Sequence, residues 1–141
     1  MKTLKLMVVA VALLFTAVAA NAAVKSAKDE LSQGDVVNMY IAAIKTGTTT
    51  DLTKRLSDDM QFNIKRGENV NTLNKKELLD YLQNNTVANA VISTTTTTLT
   101  DDGQFAHVKV EFKYDGYTRV DDIALSKSSG WKIASVDSTF I

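Results

Sequence analysis

The chain of 141 residues contains no cysteine, no proline and only one histidine. Without cysteine it cannot form a disulfide, carry a lipid on a thiol or hold zinc through thiolates. The sequence also has no metal-ligand cluster, nucleophile constellation or phosphate-binding loop. We therefore expect the fold to depend on packing alone, with no metal and no cofactor.

An excess of positive charge is also missing, because 16 basic residues are balanced by 16 acidic ones. A near-neutral surface offers no basic patch for nucleic acid, whose phosphates bind to clustered lysine and arginine. The doublets Lys54-Arg55 and Lys65-Arg66 are isolated and are typical of solvated surface. We therefore predict that nucleic acid is not a partner.

The N-terminus has the pattern of a secretory signal peptide: Lys2 and Lys5, an apolar run from 6 to 18, then Ala20-Asn21-Ala22. That run is shorter than the roughly 20 residues that a spanning helix needs, so a retained anchor is the weaker alternative. We expect cleavage after Ala22. Residues 23–141 would then form a single periplasmic or secreted domain without stable membrane insertion.

The first half of that domain has mainly helical spacing. A first helix is predicted from Val37, after candidate caps at Gly34 and Asp35, to Gly47, whose missing Cβ suits a left-handed C-terminal position. A second, short helix follows Thr50 and places Leu52 and Leu56 one turn apart.

The period then changes to that of a strand. Met60, Phe62 and Ile64 alternate with polar residues in a strand that ends at Gly67. A third helix starts at Asn74, where Glu77 completes a capping box, and ends at Asn84-Asn85.

Residues 91–141 predict a four-stranded antiparallel meander, because β-branched or alternating runs are separated by Asp-Asp-Gly, Asp-Gly and Ser-Ser-Gly. The fold class is therefore α+β, with one mainly antiparallel sheet packed against about three N-terminal helices. A two-residue loop at Asp115-Gly116 pairs Tyr114 with Tyr117. Counting back then pairs Phe112 with Arg119, Val110 with Asp121, Val108 with Ile123, and Ala106 with Leu125.

For the last hairpin we predict a three-residue loop from 127 to 129, chosen by hydrophobic matching. It pairs Leu125 with Trp131, Ile123 with Ile133, Asp121 with Ser135, and Arg119 with Asp137.

This register gathers polar side chains on the inner face, where an apolar floor with a few polar groups is typical of a small-molecule site. The alternative is an ordinary exposed ion pair at a curved end of the sheet. Tyr40 and Tyr81 lie on apolar helix faces, as core residues or as ligand contacts. The candidate ligand-binding residues are Tyr40, Phe62, Tyr81, Phe112, Arg119, Asp121, Ser135 and Asp137.

A resemblance is carried by the run YTRVDDIALSKSSGWKI, which holds Tyr117, Asp121, Leu125, Lys127, Gly130, Trp131 and Ile133. With the order of elements, it resembles the nuclear-transport-factor-two-like (NTF2-like) superfamily, most closely the small secreted bacterial proteins labelled "putative lumazine-binding". The resemblance implies a cone-like half-barrel with an internal pocket, and a homodimer through the outer sheet face. The chain departs from that group after Ile133, where the expected lysine is absent.

The same cone is host to isomerases, dehydratases and non-catalytic binders. An isomerase-like proton shuttle needs a carboxylate base after the second helix, but the strand there carries Asn63, and an amide cannot abstract a proton. A dehydratase-like pair would need His107 inside, whereas strand alternation places it on the outer face. We therefore expect a non-catalytic binding or interaction module for a small molecule. A pocket enzyme and a purely structural dimeric module are the alternatives.

Overall fold

The computed structural model describes residues 31–84 and 91–141, of which Ser32–Ile141 belong to one compact unit. The predicted signal peptide and its cleavage site lie outside the described residues. No helix of the described ranges is long and apolar enough to cross a membrane.

The described residues form three helices and one six-stranded sheet, so the predicted α+β class is confirmed. The sheet is curved and unclosed, and its strand order is β2-β1-β6-β5-β4-β3. All neighbouring strands are antiparallel except β1 and β6, which are parallel. The helices are α1 (Gln33–Thr46), α2 (Thr50–Thr53) and α3 (Lys75–Asn84); the strands are β1 (Leu56–Arg66), β2 (Asn69–Leu73), β3 (Ser93–Asp101), β4 (Phe105–Tyr114), β5 (Tyr117–Lys127) and β6 (Trp131–Phe140).

Helix α1 begins about one turn earlier than predicted. Its cap is Ser32, whose side chain accepts from the Asp35 backbone N–H while the Asp35 carboxylate accepts from the Ser32 N–H, both at 3.1 Å. The caps predicted at Gly34 and Asp35 were therefore wrong. The reciprocal pair of Ser32 and Asp35 satisfies backbone N–H groups at the start of the helix, and it places the cap at Ser32, before both predicted positions. The end at Gly47 is as predicted, with φ of 76°.

The other two helices differ in how well the local sequence predicted their ends. For α3 the capping box is confirmed: Asn74 and Glu77 exchange two backbone-to-side-chain hydrogen bonds of 2.9 Å. Helix α2 ends at Thr53, and Leu56 opens β1 instead of continuing the helix. The reason is tertiary, because Leu56 pairs with Ile133 of the parallel strand β6.

Strand β2 was not predicted. Its five residues are exposed or half-exposed, so it has no apolar alternation. It forms because Gly67, with φ of 62°, allows a tight turn that pairs Arg66 with Asn69.

The predicted β4–β5 register is confirmed. Tyr114 faces Tyr117 across the Asp115-Gly116 turn, and the pairing continues as counted down to Ala106 with Leu125. The two tyrosine rings stack with centroids 4.7 Å apart. The single histidine, His107, is exposed on the outer face as expected.

The predicted β5–β6 register was wrong. The turn uses Ser129 and Gly130, both with positive φ (59° and 90°), so Lys127 faces Trp131. A register shift follows, in which one extra residue of β6, Ala134, is inserted into the ladder as a β-bulge. The pairs that do not form are Leu125 with Trp131, Ile123 with Ile133, Asp121 with Ser135, and Arg119 with Asp137.

The bulge reverses the alternation of β6 from that point on. Ser138 and Phe140 face inward, opposite Asp121 and Arg119. The predicted inner-face core is otherwise buried, and its members are Val108, Val110, Ile123, Leu125, Trp131 and Ile133 of the sheet, with Tyr40, Ile44, Leu78 and Leu82 of the helices.

Candidate functional site

Three inward-facing side chains form a closed polar triad beneath α1. The Tyr40 hydroxyl donates to Asp121 Oδ2 at 2.5 Å, and Arg119 Nε donates to Asp121 Oδ1 at 2.9 Å. Arg119 Nη2 also donates to the Tyr40 hydroxyl at 3.1 Å. Their residues are 0%, 4% and 0% exposed in the order Tyr40, Arg119, Asp121. Tyr40 and Asp121 thus direct their polar atoms at each other and at Arg119.

The electrostatics of the triad follow from burial and charge. Burial, and then the Asp121 carboxylate, raise the pKa of Tyr40 well above its ordinary value, so the phenol keeps its proton. Burial alone would lower the pKa of Arg119, but the Asp121 carboxylate and the neighbouring Tyr40 and Tyr81 together outweigh burial and raise that pKa. The guanidinium and carboxylate therefore form a buried, hydrogen-bonded ion pair.

Three phenyl rings surround the Arg119 guanidinium. Its Cζ lies 5.6 Å from the centroids of Phe62 and Phe112, and 5.9 Å from that of Phe140. These are cation–π distances. Sequence reasoning missed Phe140, although the apolar spacing changes from two to three between Ile133 and Val136, which is the signal of a bulge.

Two predicted site residues lie elsewhere. Ser135 and Asp137 face outward, opposite Ala124 and Asp122, because the bulge reverses the alternation of β6. Asp137 accepts from Asn63 Nδ2 at 2.8 Å and from Lys65 Nζ at 3.2 Å. The hydrogen bond from Asn63, and then Lys65, hold the pKa of Asp137 below its ordinary value.

The other six candidates are brought together on the inner side. Tyr40 lies 6.4 Å from Phe112 and Phe62 lies 6.1 Å from Tyr81, measured between ring centroids. Tyr81 is half-buried at the edge of this cluster and also lines a groove. It therefore connects the buried triad region to an open surface.

That groove lies along the β1–β2 hairpin and has a volume of about 530 Å³. We call it the hairpin groove, and it is lined by Ile64, Arg66, Asn69, Val70, Asn71, Leu73 and Tyr81. Such a volume is within the ~300–1,000 Å³ range of small-molecule sites. Apart from Tyr81, its lining residues were not among the predicted site residues, because most belong to the strand that the sequence did not reveal.

A second groove, of about 550 Å³, lies on the other side of Arg66. Its lining residues are Arg66, Gly67, Tyr117, Phe140 and Ile141. The Arg66 guanidinium stacks on Phe140, with its Cζ 4.8 Å from the ring centroid. Arg66 is thus shared by both grooves.

Comparison with known proteins gives the family. The sequence matches the family described as "Putative lumazine-binding" over residues 16–136. The chain belongs to this family. No curated protein matches the sequence.

Solved structures described as NTF2-like share the fold of this lumazine-binding-type chain, and the family match confirms the predicted lumazine-binding-type resemblance. An NTF2-like protein of unknown function from Silicibacter pomeroyi has a TM-score of 0.62 at 15% identity, over 77% of this chain and 92% of its own. An NTF2-like protein of unknown function from Methylobacillus flagellatus has a TM-score of 0.58 at 21% identity, over 80% and 97%. One from Rhodospirillum rubrum, described as of unknown function in nutrient uptake, has a TM-score of 0.62 at 18% identity, over 78% and 98%. At these identities the likeness concerns the fold alone.

In this lumazine-binding-type chain a tyrosine and a carboxylate do face each other inside the cone, as a proton shuttle would require. However, Tyr40 and Asp121 bond directly to each other, which leaves no room for a substrate between them. A tyrosine with a raised pKa is also a poor acid near neutral pH. Among the described residues, no group of three or more histidine or acidic side chains could hold a metal ion.

Proposed function

We propose that the protein is an exported, non-catalytic binding module that takes a small molecule in the hairpin groove. The observation that carries this proposal is the groove itself, an open concavity of about 530 Å³ with apolar walls and three polar side chains. Apolar walls supply affinity and a few polar groups supply orientation in such sites. Export is supported by the N-terminal pattern of Lys2, Lys5, an apolar run and Ala20-Asn21-Ala22.

The non-catalytic reading is supported by the state of the buried triad. Its acid, base and cation are already bonded to one another at 2.5 to 3.1 Å. A catalytic pair needs an acid and a base with separated pKa values and a reacting atom between them. The triad instead has the arrangement of a structural network that holds α1 against the sheet.

The test is to map binding by NMR on the mature chain. Lumazine, suggested by the family description, and a panel of small aromatic compounds would be titrated while backbone amide shifts are followed. Shifts confined to β1, β2 and the end of α3 support the proposal. Shifts confined to the outer sheet face, or no saturable binding of any compound, would overturn it. Val70→Ser is the variant of choice, because Val70 is exposed in the groove wall and its loss should weaken binding without unfolding.

A second candidate is a purely structural interaction module, which the filled cone interior favours. Tyr40, Phe62 and Phe112 are each fully buried and occupy the space between α1, α3 and the sheet. On this reading the outer sheet face would mediate a homodimer. Sedimentation equilibrium, run beside the NMR titration, separates the two candidates. A dimer whose groove binds no compound favours the structural module, and a groove that a compound saturates favours the binder.

A further inference from the structure

We infer that the ligand of the hairpin groove is a planar organic anion, anchored through its carboxylate or equivalent acidic edge by Arg66. This inference rests on the proposed function and names the chemical class of its ligand. Three observations carry it: the charge of Arg66, which has no ion pair with the part of the chain that the structure describes, the ring that holds its guanidinium, and the composition of the groove walls.

The charge of Arg66 has no ion-pair partner within the described ranges 31–84 and 91–141. In contrast, Arg119 is paired with Asp121, and Lys65, next to Arg66 in sequence, is paired with Asp137. Arg66 is exposed and lines both grooves. A free guanidinium in a concave site attracts an anion and, through its planar fork, binds a carboxylate with two parallel hydrogen bonds.

The guanidinium is also held in place. Strand β1 runs parallel to β6 as far as the pair Lys65 and Thr139, so Arg66 and Phe140 come side by side. The resulting row of inward-facing residues alternates cation and ring across four strands, and its members are Arg66, Phe140, Arg119 and Phe112. Stacking on Phe140 leaves the N–H edges of Arg66 available and reduces the rotamer entropy lost on binding.

The groove walls fit a flat body behind the anionic edge. Ile64, Val70 and Leu73 give apolar surface, and Tyr81 adds an aromatic ring. Asn69 and Asn71 add amides that can donate to or accept from the edge of a heterocycle. A polyphosphate would call for several cations, but Arg66 is the one basic residue among the lining residues, so a singly charged planar molecule matches the site.

The experiment uses three probes that share a naphthalene ring and carry a negative, a neutral and a positive substituent: 2-naphthoate, 2-naphthamide and 2-naphthylmethylammonium. Their dissociation constants would be measured by NMR titration at low salt on the mature chain and three variants. Arg66→Gln removes the charge. Asn71→Asp adds a negative charge to the groove and leaves Arg66 intact. Lys113→Gln, on the exposed outer face of β4, is the control that loses one positive charge elsewhere.

Charge-assisted hydrogen bonds contribute enough that wild-type protein should bind the naphthoate roughly tenfold or more tightly than the amide. Arg66→Gln should abolish that preference and change amide affinity less than about twofold. Asn71→Asp should weaken the naphthoate more than the amide, and Lys113→Gln should leave both unchanged. Groove amide shifts with equal affinity for naphthoate and amide, or a preference insensitive to Arg66→Gln, would overturn the ligand class while the binding module stands. No groove shifts with any probe would overturn both.

Discussion

The buried triad makes a sharp prediction about stability, because Arg119 has no solvent to compensate for a lost partner. Asp121→Asn keeps the size of the side chain but removes the counter-charge and places an amide donor where an acceptor is needed. The carboxylate it replaces accepts from Arg119 at 2.9 Å and from Tyr40 at 2.5 Å. Removing one partner of a buried ion pair costs ~3–5 kcal/mol, so we expect a loss of unfolding free energy of that order.

The magnitude has a second, independent check. Replacing both charges with apolar groups, as Arg119→Met with Asp121→Leu, should recover most of the loss, because a buried pair and a well-packed apolar pair differ little in stability. This double variant still leaves the Tyr40 hydroxyl without a partner, which costs ~1–3 kcal/mol. Adding Tyr40→Phe should therefore bring the triple variant close to the wild type.

Urea denaturation followed by the fluorescence of Trp131, the only tryptophan, measures each unfolding free energy. The matched control is Glu111→Gln, which removes one negative charge from the outer face of β4, where the side chain is only partly buried. It should alter stability by less than about 1 kcal/mol. If Asp121→Asn costs no more than this control, the triad does not hold the fold as described.

Three further predictions concern the core, the outer face and the N-terminus. Trp131→Ala should cost ~3–5 kcal/mol in the same denaturation experiment, followed by circular dichroism, because the ring is largely buried; a loss under about 1 kcal/mol would contradict the packing. Asn63→Ala should raise the pKa of Asp137 toward its ordinary value, as measured by an NMR titration. The stability that ionised Asp137 contributes at neutral pH should then be lost at a higher pH as the solution is acidified. An unchanged pKa would mean that Lys65, not Asn63, sets it. The exported protein should begin at Ala23 by mass spectrometry and should melt at the same temperature with and without EDTA; a start near Met1 or a drop in melting temperature would contradict the sequence reading.

Much of the fold was predictable wherever a short motif fixes the backbone. Asp115-Gly116 set ten consecutive pairs of the β4–β5 hairpin, because a two-residue turn admits one register. The capping box of Asn74 and Glu77 located the start of α3 within one residue. The inward position of Arg119 and Asp121, two of the three members of the buried triad, followed from the same turn.

The last hairpin shows where this reasoning stopped. A three-residue loop was foreseen, but its position was off by one residue and a bulge at Ala134 displaced the rest of β6. The bulge turns Val136 and Phe140 inward, where Val136 pairs with Ile123 and Phe140 packs on Arg119. Hydrophobic matching favoured a ladder without a bulge, because it compared only the pairs nearest the turn and left out Val136 and Phe140.

The sequence by itself determined the elements whose signals lie within a few residues of each other: the helix ends at Gly47 and Asn74, the meander, and the apolar inner face of β4 and β5. Only the tertiary structure decided the parallel pairing of β1 with β6, the exposed strand β2, and the row that joins Arg66, Phe140 and Arg119. The parallel pairing, and with it the contact of Arg66 with Phe140, joins residues about seventy positions apart with no tight turn to set their register, so no local propensity encodes it. Strand β2 lacks apolar alternation, so only its pairing with β1 reveals it. The hairpin groove exists because the β1–β2 hairpin lies beside Tyr81 of α3.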